Sequence, residues 1–101
     1  MEIINLAVKS DIEKGVPLNL NLGSGMTPKT GFYSLDHLPL EGIDILADLN
    51  KPLTLLPDNS VHKVFSYHVF EHVENFIPLM GELHRIVKNN GMIEVVVPHF
   101  S

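Results

Sequence analysis

A chain of 101 residues, 45% of them hydrophobic, is sized for one small globular domain with a single core. Twelve acidic residues against seven basic ones give a net charge of -5 with no Lys/Arg cluster, which argues against nucleic acid as a partner. The absence of cysteine excludes disulfides and thiolate metal sites. No apolar run approaches the ~20 residues that span a bilayer, and Met1-Glu2-Ile3-Ile4-Asn5 does not open a secretory leader, so the expectation is a soluble, cytoplasmic protein.

Glu2 to Lys14 carries apolar spacings that suit a short helix or a strand, and neither template wins. Leu18-Asn19-Leu20-Asn21-Leu22 alternates apolar and polar residues and runs into Gly23-Ser24-Gly25, the pattern of a strand closing in a tight turn. Phe32 to Asp36 and Ile43 to Asp48 form a second and a third strand, each ending at a carboxylate. Pro52, Pro57 and Asp58-Asn59-Ser60 break the chain before a fourth strand, Val61 to Tyr67. From Asn75 to Lys88, Phe76, Leu79, Met80, Leu83, Ile86 and Val87 recur at helical spacing; Asn75 suits the N-cap, Pro78 the first turn, and Gly91 the left-handed residue that closes a helix. Met92 to Val97 is a fifth strand, halted by Pro98.

This order predicts an α/β fold in which the helix between the last two strands makes a right-handed parallel crossover. Parallel sheets bind ligands beyond the carboxyl ends of their strands, where these motifs fall. The Gly23-Ser24-Gly25 bend lets a ligand approach the backbone closely. Asp36, thirteen residues after Gly23, has the chemistry to accept hydrogen bonds from ribose hydroxyls, and Asp48 with Leu49 offers a polar contact beside an apolar wall for an adenine ring. Either aspartate alone reads as a turn or cap residue; their placement at successive strand ends is the informative feature.

The series Leu20-Asn21-Leu22-Gly23-Ser24-Gly25, Phe32 to Asp36, Ala47-Asp48-Leu49-Asn50-Lys51-Pro52-Leu53, Leu56 to Val61, Ser66-Tyr67-His68-Val69-Phe70-Glu71-His72-Val73 and Glu82 to Lys88 leading to Gly91 resembles class I AdoMet-dependent methyltransferases. The resemblance covers residues 18 to 98 and implies a Rossmann-like parallel sheet of strand order 3-2-1-4-5 within one AdoMet-binding domain, residues 1–101, that is C-terminally incomplete. It also implies S-adenosyl-L-methionine as cofactor and an acceptor the sequence does not identify. By resemblance, Gly23, Ser24 and Gly25 lie under the methionine part of the cofactor, Asp36 holds the ribose, Asp48 and Leu49 frame adenine, and Tyr67 and His68 face the methyl-bearing sulfur. Three features depart from the family: Asn21 stands where an acidic residue is common, the interval from Gly25 to Phe32 is too short for a full helix, and the chain stops after the fifth strand.

No residue is singled out as catalytic; His68 is the foremost visible candidate for a base, beside an ordinary structural role. Two other functions fit parts of the sequence. One is a non-catalytic methyltransferase-like binding module, since substrate-binding segments are missing. The other is a zinc peptidase, because His68-Val69-Phe70-Glu71-His72 matches H-x-x-E-H, although no clear third ligand motif follows in the remaining 29 residues. His37, His62, His84 and His99 read as surface or edge residues. Met92 to Val97 would lie at an open sheet edge able to pair with a second copy of the chain.

Overall fold

A computed structural model describes residues 1–23, 28–67 and 76–96 of the chain, with Tyr67 described by its backbone alone. Its elements are β1 (Glu2–Ile3), α1 (Leu6–Lys14), β2 (Leu18–Leu22), β3 (Tyr33–Asp36), β4 (Ile45–Leu46), β5 (Val61–Tyr67), α2 (Phe76–Ile86) and β6 (Val87–Val96). They build one sheet of order β1-β4-β3-β2-β5-β6, parallel throughout except for β1, which pairs antiparallel with β4. The five strands read from the sequence thus appear in the expected order 3-2-1-4-5. The two-residue β1 at the outer edge is an addition.

The undecided N-terminal segment resolves into both alternatives, a short strand followed by a helix. Asn5 caps α1 by accepting the Ala7 N–H at 2.9 Å. The helix stops because Gly15 adopts φ 73° and Val16 returns its N–H to the Asp11 carbonyl, a left-handed closure that glycine enters without strain. Asp44 fastens this segment to the sheet: its Oδ1 accepts the Asn5 side-chain N–H at 2.8 Å, its Oδ2 accepts the Ser34 N–H at 2.7 Å, and its carbonyl accepts the N–H groups of Ile4 and Asn5.

Parallel registers place Leu20 beside Tyr33 on one side and Val64 on the other, with Ile93 beyond Val64. Side chains alternate across a sheet, so these residues share a face, whereas Asn21, Phe65 and Glu94 share the opposite one. The core lies on the leucine face. Leu18, Leu20, Leu22, Leu35, Val64 and Ile45 pack there against Val8 of α1, Leu53 and Leu56 of the β4–β5 connection, and Leu79, Leu83 and Ile86 of α2. The spacing of those last three residues gives α2 its buried stripe.

The end of α2 differs from the sequence expectation. The helix stops at Ile86, two residues before Lys88, because Val87 is already paired with Val61; the chain then bulges and rejoins the ladder where Met92 meets Lys63. The left-handed residue is Asn90, at φ 70°, and not Gly91. Gly91 meets a demand for space: a Cβ there would lie 2.5 Å from Val87 Cγ1 and 2.8 Å from the carbonyl oxygens of His62 and Lys88. The third strand is also shorter than Ile43 to Asp48, since Asp44 is occupied in joining β3 to the N-terminal segment. Asn75 and Val97 lie outside the described residues.

Candidate functional site

The carboxyl ends of β2, β3 and β4 are joined by two backbone hydrogen bonds that continue the ladder past the regular strands. Gly23 donates its N–H to the Leu35 carbonyl at 2.8 Å, and Ala47 donates to the Asp36 carbonyl at 2.9 Å. These bonds bring Gly23, Asp36 and Asp48 to one rim of the sheet. Gly23 turns the chain there with φ 62°, a conformation that a residue bearing Cβ enters with strain.

Asp36 is buried at the end of β3. Its Oδ1 accepts the backbone N–H of His37 at 2.7 Å and of Leu38 at 3.2 Å, with Nδ1 of the exposed His37 ring 3.0 Å away. These local bonds fix the carboxylate at the turn. Asp48 is exposed and opens the next turn, accepting the Asn50 N–H on its side chain at 2.9 Å and the Lys51 N–H on its carbonyl at 3.0 Å. Leu49 is half-buried and packs against the core beside it. A carboxylate set in a strand-end turn, a second carboxylate one strand over and an apolar neighbour form an acidic rim with a hydrophobic flank.

Ser24, Gly25 and His68 lie outside the described residues, as does the side chain of Tyr67; the Tyr67 backbone ends β5 opposite Val96. The H-x-x-E-H residues His68, Glu71 and His72, and His99, also lie outside them. Among the described residues no three His, Cys, Asp or Glu side chains gather as a metal set. His37 and His84 are exposed, whereas His62 is half-buried with its Nδ1 lacking a hydrogen-bond partner among the described residues.

Two features escaped the sequence reading. Ser66, paired with Leu22 one residue before the Gly23 turn, is fully buried and its Oγ has no hydrogen-bond partner among the described residues. A buried hydroxyl left unsatisfied is costly, and Ser66 lies at the same end of the sheet as Gly23 and Asp36. The second feature is a clasp that holds α2 against the β4–β5 connection. Arg85 donates through Nε to Glu82 at 2.9 Å, through Nη1 to the Leu56 carbonyl and Asp58 at 2.8 Å each, and through Nη2 to the Leu53 carbonyl at 3.0 Å and Glu82 at 3.3 Å. Glu82 in turn accepts the Leu53 N–H at 2.7 Å. The Arg85 guanidinium, then the Leu53 N–H, hold the Glu82 carboxyl below its ordinary value, and the bonds from Glu82 and Asp58 raise Arg85. The sequence shows the i, i+3 pair but not its partners 27 to 32 residues away.

A parallel sheet of this order, with a glycine bend and acidic strand ends at its carboxyl rim, defines a Rossmann-like methyltransferase fold. The family model described as a methyltransferase domain matches residues 33–95, and the chain belongs to that family. The trans-methyltransferase CalH, crystallised in complex with SAH, is similar in structure with a TM-score of 0.61 at 11% identity, covering 88% of this chain and 34% of CalH. A Methanococcus maripaludis protein assigned as an S-adenosyl-L-methionine-dependent methyltransferase gives 0.58 at 15% identity, covering 89% of this chain and 54% of its own. A SAM-dependent methyltransferase from Aquifex aeolicus gives 0.52 at 19%, covering 80% and 58%. These likenesses concern the fold, and the chain spans about a third to three fifths of those proteins' lengths. No curated protein matches the sequence. Among the described residues no helix is long and apolar enough to cross a membrane.

Proposed function

We propose that the chain binds S-adenosyl-L-methionine at the carboxyl rim of its sheet and serves as the cofactor-binding portion of a methyltransferase that acts in the cytoplasm. The observation that carries this reading is the pair of backbone bonds, Gly23 to Leu35 and Ala47 to Asp36, which brings the glycine bend and both aspartates to one edge. The residues present suit the cofactor. A fixed carboxylate at Asp36 matches a ribose diol, the half-buried Leu49 beside Asp48 matches an adenine ring, and the bend at Gly23 admits a close ligand. Ser24 and Gly25 would complete the seat under the methionine part, with Tyr67 and His68 toward the sulfur.

The bound sulfonium would supply an activated methyl group, and S-adenosylhomocysteine would be the other product. The protein's contribution is to hold donor and acceptor in line, which lowers the barrier without a covalent enzyme intermediate. Calorimetric titration with S-adenosylhomocysteine tests the reading. Saturable binding by the native chain, lost in Asp36→Ala of unchanged fold, is expected; binding that ignores Asp36 refutes the assignment. A non-catalytic module would bind without turning over any acceptor, whereas an enzyme would release S-adenosylhomocysteine with one of them.

Self-association through β6 is the partner reading. The strand is outermost in the sheet, with Met92 57% and Val95 38% exposed, and an open apolar edge invites a second copy. Sedimentation should show a concentration-dependent dimer that Val95→Lys weakens; a monomer at every concentration contradicts it.

A further inference from the structure

The described elements cover the sheet on one face only. α1, α2 and the β4–β5 connection all pack on the leucine face, whereas the face that carries Asn19, Asn21, Lys63, Phe65 and Glu94 has no described helix over it. Chain length accounts for this. Residues 24–31 return the chain from the carboxyl end of β2 to the amino rim of the sheet, where β3 begins. The five residues of β2 span about 16 Å, but eight residues coiled as a helix would rise only about 12 Å. Residues 28–31, the described part of the return, contain no helix.

Lys29-Thr30-Gly31-Phe32 closes the return as a tight turn. The Phe32 N–H donates to the Lys29 carbonyl at 3.0 Å, and Gly31, in the third position, takes φ 83°. Alternation then sends two neighbouring rings to opposite faces. Tyr33 points to the leucine face, where its hydroxyl donates to Asp11 Oδ2 at 2.7 Å, the bond that, ahead of burial, pushes it up to about 12. Phe32 points to the bare face. There Lys29 Nζ lies 5.3 Å from the Phe32 ring centroid and 4.3 Å from that of Phe65. Phe32 leads into β3 and Phe65 belongs to β5, the two strands that flank β2, so the ammonium bridges them across the face. No described carboxylate pairs with Lys29; the two rings hold it by cation–π attraction.

This bridge lies just under the glycine bend. Phe65 is beside Asn21, two residues before Gly23, and Lys29 comes six residues after Gly23. The segment between them is therefore gripped at both ends, by the Gly23 N–H on the Leu35 carbonyl at 2.8 Å and by Lys29 on its rings. We propose that Lys29 is a positioning residue for the cofactor. Its seat on Phe32 and Phe65 does the work of the helix that this connection lacks: it restrains the glycine segment before the ligand arrives, so that binding has less ordering left to supply. The inference rests on the cofactor reading, in which Ser24 and Gly25 lie under the methionine part.

The test combines calorimetric titration of the full chain with S-adenosylhomocysteine and amide hydrogen exchange of the free chain. Lys29→Met keeps the aliphatic stem and loses the charge; it should weaken binding about fivefold, the scale of exposed cation–π contacts, and speed exchange of the Gly23 amide while β2 and β5 stay protected. Lys29→Arg retains the cation and should restore both readings to within about twofold of the native chain. Phe65→Leu should weaken binding too, and the double variant with Lys29→Met should be no weaker than the product of one loss, since both changes remove the same contact. Native binding that Lys29→Met leaves unchanged, Gly23 exchange that it leaves unchanged, faster exchange throughout β2 and β5, a folded Lys29→Arg that restores neither reading, or fully additive losses in the double variant overturns this inference alone. A native chain that does not bind S-adenosylhomocysteine overturns the cofactor reading and this inference with it.

Discussion

The Arg85 clasp and the carboxyl rim use carboxylates in opposite ways. In the clasp, Glu82 and Asp58 meet a guanidinium whose five N–H donors are all engaged, and three of its partners, Leu53, Leu56 and Asp58, come from a segment distant in sequence. At the rim, Asp36 and Asp48 accept backbone N–H groups one or two residues ahead. Distant, saturated bonds weld two parts of a chain together; local turn bonds orient a charged group at the end of its strand. The first pattern belongs to stability and the second to a surface prepared to receive something.

Substitutions can break that contrast. Arg85→Ala should have the largest effect, about 3 kcal/mol, because it strands Glu82 and the Leu53 and Leu56 carbonyls where each is partly buried. Chemical denaturation measures it, and Arg85→Lys should recover only part, since an ammonium cannot reproduce the forked geometry. The clasp also sets an acid limit. Glu82 is held below its ordinary 4.5, so its contribution is present above that pH and fades as the pH falls through the depressed value; Glu82→Gln should flatten the acid limb of the stability curve.

Gly91→Ala ranks next, at about 1–3 kcal/mol, because the new methyl would press on Val87 and two backbone oxygens at the β5–β6 bulge. Asp48→Ala, at the rim, should cost no more than about 1 kcal/mol, the scale of a lost turn or cap bond, while reducing affinity for S-adenosylhomocysteine. A stability loss as large as that of Arg85→Ala would erase the distinction between the two regions. The smallest effect lies at the amino rim and is confined to alkaline pH. Tyr33 is raised from 10.0 to about 12, so its contribution is full below pH 10 and declines as the pH rises toward 12. With Tyr67→Phe removing the other tyrosine, ultraviolet titration should report a single phenol near 12 that shifts toward 10 in Asp11→Ala.

The same contrast explains what the sequence reveals. Strand alternation in Leu18 to Leu22, the Gly23 bend and the aspartates after the next two strands are local signals, and five strands and three rim residues follow from them. What escapes needs partners that no spacing encodes. The two-residue β1 exists because Asp44 reaches both Asn5 and Ser34. The clasp requires Leu53, Leu56 and Asp58 to fold back onto α2. Gly91 looks like a helix terminator, yet Asn90 takes the left-handed turn while Gly91 yields room to a neighbouring strand. The Ser66 hydroxyl and Asn19 oxygen, without a partner among the described residues, are defined by burial, which depends on the assembled sheet.

The rim itself is most directly tested by mapping S-adenosylhomocysteine onto the chain through backbone amide shifts. The account predicts changes at residues 20–23, 36–38 and 47–50, with Asp11 and Tyr33 unmoved. Shifts clustered at the amino rim, or on the face of α2, with Gly23, Asp36 and Asp48 silent, would contradict it.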